Sequence, residues 1–288
     1  MRKICFCLLL WLMGNSMIAL AAKVDSVQIK GTAMNKTYKA AVILPDSYQK
    51  NKSAYPVMYL LHGAFGHFSD WLSNTPDKML VKNLADQYNL IIVTPEGETF
   101  SCYVNSPVNK QSQFESYIID DVIKKIDATY RTVHDKKGRV ITGLSMGGHG
   151  ALYLSARHPE LFCAAGSMSG GVDVNVSHWK LDAKSADTFR GLFQQTLGPD
   201  TTTHGQYSVI NQVDKMKANG IRLIFDCGVD DMLLGPNREL HKRLLDNQTP
   251  HDYTERPGGH TWQYWQNSLP YHVLFFYNVL KENGVTVQ

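Results

Sequence analysis

The sequence predicts an α/β fold with a mainly parallel central sheet flanked by helices on both faces. Three observations predict it. Apolar runs such as "YPVMYLLHG" and "LIIVTPEG" are continuous rather than alternating, as in strands covered on both faces. Segments of helical periodicity lie between such runs, so strand and helix alternate along the chain. Finally, "RVITGLSMGGHGALYLSARHPELF", residues 139 to 162, joins an apolar strand to a helical pattern through a glycine cluster with Ser145 inside it.

Taken in order, residues 24 to 45 read as β, with "SVQIKG" and "YKAAVILP" bounded by Gly31 and Pro45. The strand "YPVMYLLHG" follows, then a helix near "DKMLVKNLADQY", the strand "LIIVTPEG" and the helix "FESYIIDDVIKKIDATY". After "RVITG" and the helix beyond Ser145 come the strand "CAAGSMSG" and an irregular stretch from about 172 to 208. The strand "IRLIFDCG", the helix "NRELHKRLLDN", a last strand "HDYTERPG" and a terminal helix "YHVLFFYNVLKEN" complete the pattern. No repeat, low-complexity tract or linker interrupts it. One domain over 23–288 is therefore expected, with 172–208 as an insertion able to lie over the carboxyl edge of the sheet.

Of the 288 residues, 43% are hydrophobic and 19% charged, which suits a soluble domain with a sizeable core. Residues 1–22 read as an export signal: Arg2 and Lys3, the apolar "ICFCLLLWLMG", and small residues ending near Ala21 and Ala22. The apolar stretch is too short, and too interrupted, for a stable membrane anchor. A secreted or periplasmic protein is expected. Without Arg2 and Lys3, the 29 basic residues become 27 against 26 acidic ones, a net charge of +1. No basic stripe points to nucleic acid. Cys102, Cys163 and Cys227 are too few and too irregular for a disulfide framework or metal site, and Cys163 and Cys227 fit strands as small apolar residues.

A serine hydroxyl is a weak nucleophile and must project toward substrate beside a base. "GLSMG" fits G-x-S-x-G between a strand and a helix, where glycines make room for the turn and the helix start aims N–H groups at a developing oxyanion. Ser145 is thus the candidate nucleophile and the Met146 N–H one oxyanion donor. The early loop "LLHGAFGHFSDW" offers the second at Ala64, with Phe65 its neighbour. For the base, "RPGGHTWQYW" puts His260 in a glycine loop after the last strand. His62, His149, His241 and His272 fall in settings that favour packing or surface roles. For the orienting acid, the loop after "IFDCG" offers Asp230 and Asp231 equally, while Asp226 lies inside the strand. No H-E-x-x-H or other metal-ligand spacing occurs, so neither cofactor nor metal is expected.

These motifs, with "VTPEGETFSCYVNSP" and "DCGVDDMLLGPNREL", resemble in content and order the "putative esterase" family of α/β-hydrolases. That family includes feruloyl and acetylxylan esterases, S-formylglutathione hydrolases and bacterial mycolyltransferases. The resemblance implies a nucleophile at Ser145, an acid at Asp231, a base at His260, and oxyanion donors at Ala64 and Met146. It also implies that "YVNSP", with Tyr103 and Asn105, lines the site, and makes Trp71 and Trp262 acyl or sugar contacts. The chain departs from many members at Cys102, where they carry an aromatic residue, at Asn105, where they carry Asp, and at Glu96-Gly97, where they carry Asp-Gly. The implied activity is two-step hydrolysis of a small-molecule or polysaccharide ester, with acetyl and feruloyl groups favoured by export. Acyl transfer to a sugar, and carbohydrate binding on a non-catalytic hydrolase fold, are the alternatives.

Overall fold

The computed structural model describes residues 22–287. The expected export signal falls, except for Ala22, outside the described residues. Eight strands form one sheet in the order β1-β2-β4-β3-β5-β6-β7-β8. β1 (Lys23–Gly31) and β2 (Lys36–Leu44) form a hairpin, and β2 pairs antiparallel with β4 (Ile91–Pro95). From β4 onward the sheet is parallel, through β3 (Val57–Leu61), β5 (Arg139–Gly143), β6 (Ala164–Met168), β7 (Arg222–Gly228) and β8 (Asp252–Arg256). This is the α/β-hydrolase arrangement that the alternation of elements predicts.

The helices are α1 (Asp70–Ser73), α2 (Leu80–Tyr88), α3 (Phe114–Ser116), α4 (Ile123–Thr129), α5 (Met146–Arg157), α6 (Ala183–Leu197), α7 (Val213–Asn219), α8 (Leu234–Asp246) and α9 (Trp262–Glu282). A π-helical turn, Tyr117–Val122, joins α3 to α4. Side chains alternate across the sheet. Tyr59, Leu61 and Ile141 enter one core layer, which includes α5; Met58, Leu60 and Val140 enter the other, with Leu269, Val273 and Phe276 of α9.

Two expectations need correction. The stretch 172–208 is not irregular: it holds the fifteen-residue α6, whose first turn is capped by Asp182 accepting from the Ser185 N–H at 3.0 Å. The terminal helix starts at Trp262 rather than near Tyr271, because Thr261 caps it and Pro270 is accommodated inside it. Cys227 lies in β7 and Cys163 immediately before β6, and all three described cysteines are free.

Candidate active site

β5 runs into α5 through a turn in which Ser145 adopts φ 53° and ψ −117°. A non-glycine residue at positive φ costs about 1–3 kcal/mol and persists only where its surroundings enforce it. Here they do. A Cβ on Gly143 would stand 2.6 Å from the Gly147 carbonyl carbon, and one on Gly147 would stand 2.6 Å from the carbonyl oxygens of Leu61 and His62. Strand and helix therefore approach more closely than any side chain permits. Ser145 occupies the N-cap position of α5 but makes no cap bond; its hydroxyl points to His260 instead.

His260 sits between β8 and α9. Its Nε2 lies 2.9 Å from Ser145 Oγ, and its Nδ1 lies 2.9 Å and 3.1 Å from the two carboxylate oxygens of Asp231. Because the carboxylate only accepts, Nδ1 carries the proton and Nε2 is free to receive one from the hydroxyl. Asp231 is buried and also accepts from the Leu233 N–H at 2.8 Å, which fixes its carboxylate plane. Asp230, the equal alternative by position, is exposed and turns away. The two loops are tied to each other: Val229 donates to Arg256 O at 3.0 Å and Asp230 to Gly258 O at 2.9 Å. A Cβ on Gly228 would meet Gly258 O at 2.2 Å, so only glycine lets them come together.

Beside Ser145, neither the Met146 nor the Ala64 N–H has an acceptor among the described residues, whereas the Phe65 N–H donates to Thr99 O at 2.7 Å. That bond, with Phe65 at φ 61°, leaves the neighbouring Ala64 amide without an internal acceptor at the cavity that Ser145 also lines. Gly63 allows the loop to close on the serine: a Cβ there would lie 2.5 Å from Leu144 Cδ1.

A cavity of about 340 Å³ opens over these groups, lined by Ala64, Phe65, Ser145, Met146, His260 and Trp262. It has an aromatic wall that sequence reasoning missed: Phe100 with Trp179, Phe189 and Phe193 from the 172–208 stretch. Their rings pack tilted or edge-on against one another at centroid distances of 5.1–6.1 Å, and Phe65 leans on Phe100 at 6.4 Å. The apolar stripe Ala186, Phe189, Phe193, Leu197 carries the helical signal for this wall in the sequence. Met232, beside Asp231, also lines the cavity.

Three expected contacts are not at the cavity. Trp71 is buried, donates from Nε1 to Leu61 O at 3.1 Å and packs edge-on against Trp262 at 5.4 Å, so it supports Trp262 from behind. Tyr103 is fully buried and its hydroxyl donates to His62 O at 3.2 Å. Asn105 is turned inward, bonded to Ser116 through both its amide nitrogen and its carbonyl oxygen. In the "YVNSP" region it is the preceding Cys102 that reaches the cavity, and burial pushes its thiol far above the ordinary range, so it is no rival nucleophile.

The packing histidines divide by partner. His62 donates from Nδ1 to Gly63 O at 2.8 Å and accepts the Gly97 N–H at 2.8 Å, bracing the Ala64 loop. His149, whose pKa burial lowers, lies between Cys102 O and Tyr207 O at 3.0 and 2.8 Å.

Known proteins similar to this chain include esterases. An esterase of Mycobacterium tuberculosis is 30% identical over 241 residues, covering 77% of this chain; the chain spans 52% of that protein's length. An acetyl esterase of Caldicellulosiruptor saccharolyticus is 26% identical over 217 residues, 74% of this chain and 79% of that protein. The solved structure of a ferulic acid esterase superposes with a TM-score of 0.76 at 27% identity, over 90% of this chain and 98% of the other. The family model described as "Putative esterase" matches residues 31–276, and the chain belongs to that family.

Proposed function

We propose that the protein hydrolyses carboxylic esters, with Ser145 as nucleophile, His260 as general base and acid, and Asp231 as the residue that orients and stabilises the imidazole. The observation that carries this reading is the unbroken line of contacts from Asp231 through His260 to Ser145 beside two open N–H groups. Ser145 Oγ attacks the ester carbonyl carbon as His260 Nε2 takes its proton. The resulting oxyanion accepts from the Ala64 and Met146 amides. Collapse breaks the bond to the alcohol, which leaves with the proton from Nε2; water then repeats the sequence on the acyl-enzyme and returns Ser145.

The aromatic wall of Phe65, Phe100, Trp179, Phe189 and Phe193 supports an acyl group with a flat apolar body, as in a feruloyl ester of a carbohydrate. The ferulic acid esterase among the structural relatives points the same way. A panel of p-nitrophenyl acetate, p-nitrophenyl butyrate and p-nitrophenyl ferulate, which share one leaving group, tests both parts. Ser145→Ala is expected to lower kcat on every substrate by roughly 10⁴- to 10⁶-fold. Substantial activity in that variant would remove Ser145 from the mechanism, and a kcat/KM on acetate above that on ferulate would remove the aromatic acyl group.

Export is part of the same reading. The Ala22 nitrogen lies 2.9 Å from the Asp86 carboxylate, so of the two cuts the small residues allow, after Ala21 or after Ala22, the first would leave a terminal ammonium already facing a carboxylate. N-terminal sequencing of protein from the medium is expected to begin at Ala22; a start at Met1 would oppose it.

A further inference from the structure

Away from the cavity, where α9 packs on the sheet, a second polar group of side chains is shut off from solvent. Thr142, Ser268 and His272 are fully buried and Asp226 is 2% exposed. The group converges on one oxygen. Asp226 Oδ2 accepts from His272 Nε2 at 2.9 Å and from the Ser268 hydroxyl, and lies 2.9 Å from the Arg256 guanidinium. Arg256 also donates to Ser268 Oγ at 3.0 Å, and the Thr142 hydroxyl meets His272 Nδ1 at 3.0 Å.

What distinguishes this cluster is where its members stand in the chain. Thr142 is in β5, just before the turn that carries Ser145. Asp226 is in β7, just before the loop that carries Asp231. Arg256 ends β8, just before the loop that carries His260, and Ser268 and His272 are in α9, just after it. One carboxylate therefore bonds both flanks of the His260 loop and, through His272, reaches the strand of the serine. β6 lies between β5 and β7, and it lets the cluster cross because residue 166 is glycine: a Cβ there would stand 2.5 Å from His272 Nδ1 and 2.9 Å from Thr142 Oγ1.

Burying a carboxylate is unfavourable unless its partners compensate, and an apolar set of similar volume would often hold a core equally well. A directional cluster does something an apolar one does not: it fixes the relative placement of the elements it joins. We propose that Asp226 is a positioning residue for catalysis, clasping β8 and α9 to β7 so that His260 stays in reach of Ser145 and Asp231 together. The inference rests on the reading of those three as the catalytic set. Asp226 touches no substrate. Its effect is on the geometry of proton transfer, where a displacement of about 1 Å can cost as much as 10²-fold.

The test is steady-state kinetics on p-nitrophenyl acetate with Asp226→Asn, His272→Ala and His272→Gln, each checked for folding by thermal melting. Expected is a fall in kcat of roughly 10- to 10²-fold in Asp226→Asn and His272→Ala, with KM within about twofold of the parent. His272→Gln, which keeps an N–H donor on that side of Asp226, is expected to recover part of the loss. Labelling of Ser145 by a fluorophosphonate should slow in step with kcat. Folded Asp226→Asn protein with parental kcat, or equal losses in His272→Ala and His272→Gln, would overturn the proposal. Where Asp226→Asn fails to fold, Ser268→Ala removes a single hydroxyl from the same oxygen: a severalfold lower kcat supports the clasp and an unchanged one overturns it. Inactive Ser145→Ala beside fully active Asp226→Asn would sink this inference alone, whereas active Ser145→Ala would sink the catalytic set beneath it.

Discussion

Ser145 holds torsions that cost energy, and the glycines around it explain how the fold enforces them. At the level of single residues, the polar site was legible because its chemistry is ordered along the chain: a serine in a strand-to-helix turn, then an acid after one strand and a histidine after the next. The choice between Asp230 and Asp231 was not legible from position alone. It depends on which side chain turns inward, which the Gly228 turn decides. The aromatic contacts were less legible still, since a tryptophan near a glycine loop packs or binds with the same sequence signature. Trp71 shows the packing outcome, and that makes a prediction. Trp71→Phe deletes the N–H that Leu61 O accepts in the core, so stability should fall by about 1–2 kcal/mol in urea denaturation. KM for p-nitrophenyl ferulate should not change. A rise in KM without loss of stability would return Trp71 to the cavity wall.

Among the elements, the strands were the easiest to read, since the short, largely apolar segments of β3, β4 and β5 are buried at every position. Helix limits were harder. Pro270 reads as a boundary because it lacks an N–H and restricts its neighbour, yet α9 continues through it. α6 was missed because its apolar stripe is short and set in polar sequence, although Phe189 and Phe193 are one turn apart and face the same way. This helix builds one wall of the cavity, so its effect should be selective among substrates. Aromatic pairs contribute about 0.5–1.5 kcal/mol beyond the area they bury, so Phe189→Ala or Phe193→Ala should raise KM for p-nitrophenyl ferulate by severalfold to roughly tenfold. KM for p-nitrophenyl acetate should move little, because an acetyl group offers almost no apolar surface to an aromatic wall. Equal increases on both substrates would mean that α6 acts on the site as a whole and not as an acyl contact.

At the scale of the molecule, three buried carboxylates tie separate segments together, and each makes the fold sensitive to acid. Glu96, at the end of β4, is beside His62 and accepts the Glu98 N–H at 2.9 Å; Glu115 of α3 bonds Arg157 and His158 at the end of α5 at 2.7 and 2.8 Å; Asp226 joins β7 to α9. Burial alone would raise each pKa, but the hydrogen bonds each carboxylate accepts, and at Glu115 and Asp226 the facing His and Arg groups, outweigh it and hold all three below their ordinary values. A carboxyl with a depressed folded pKa contributes stability that is fully present above its unfolded value, about 3.9 for Asp and 4.3 for Glu, and is lost as pH falls through the folded one. Through these groups, the urea midpoint should be level from about pH 7 to 5 and should drop steeply below about pH 4. Glu115→Gln isolates one of them. It removes the charge facing Arg157 and His158 and keeps the size, so the variant should be less stable than the parent at neutral pH. The gap should narrow as pH falls below about 4.3, the unfolded value, because the parent's own carboxyl then gains a proton on unfolding and at lower pH loses the same interaction in the folded protein. A gap that stays constant between those two conditions would show that Glu115 holds α3 to α5 by packing and not by charge.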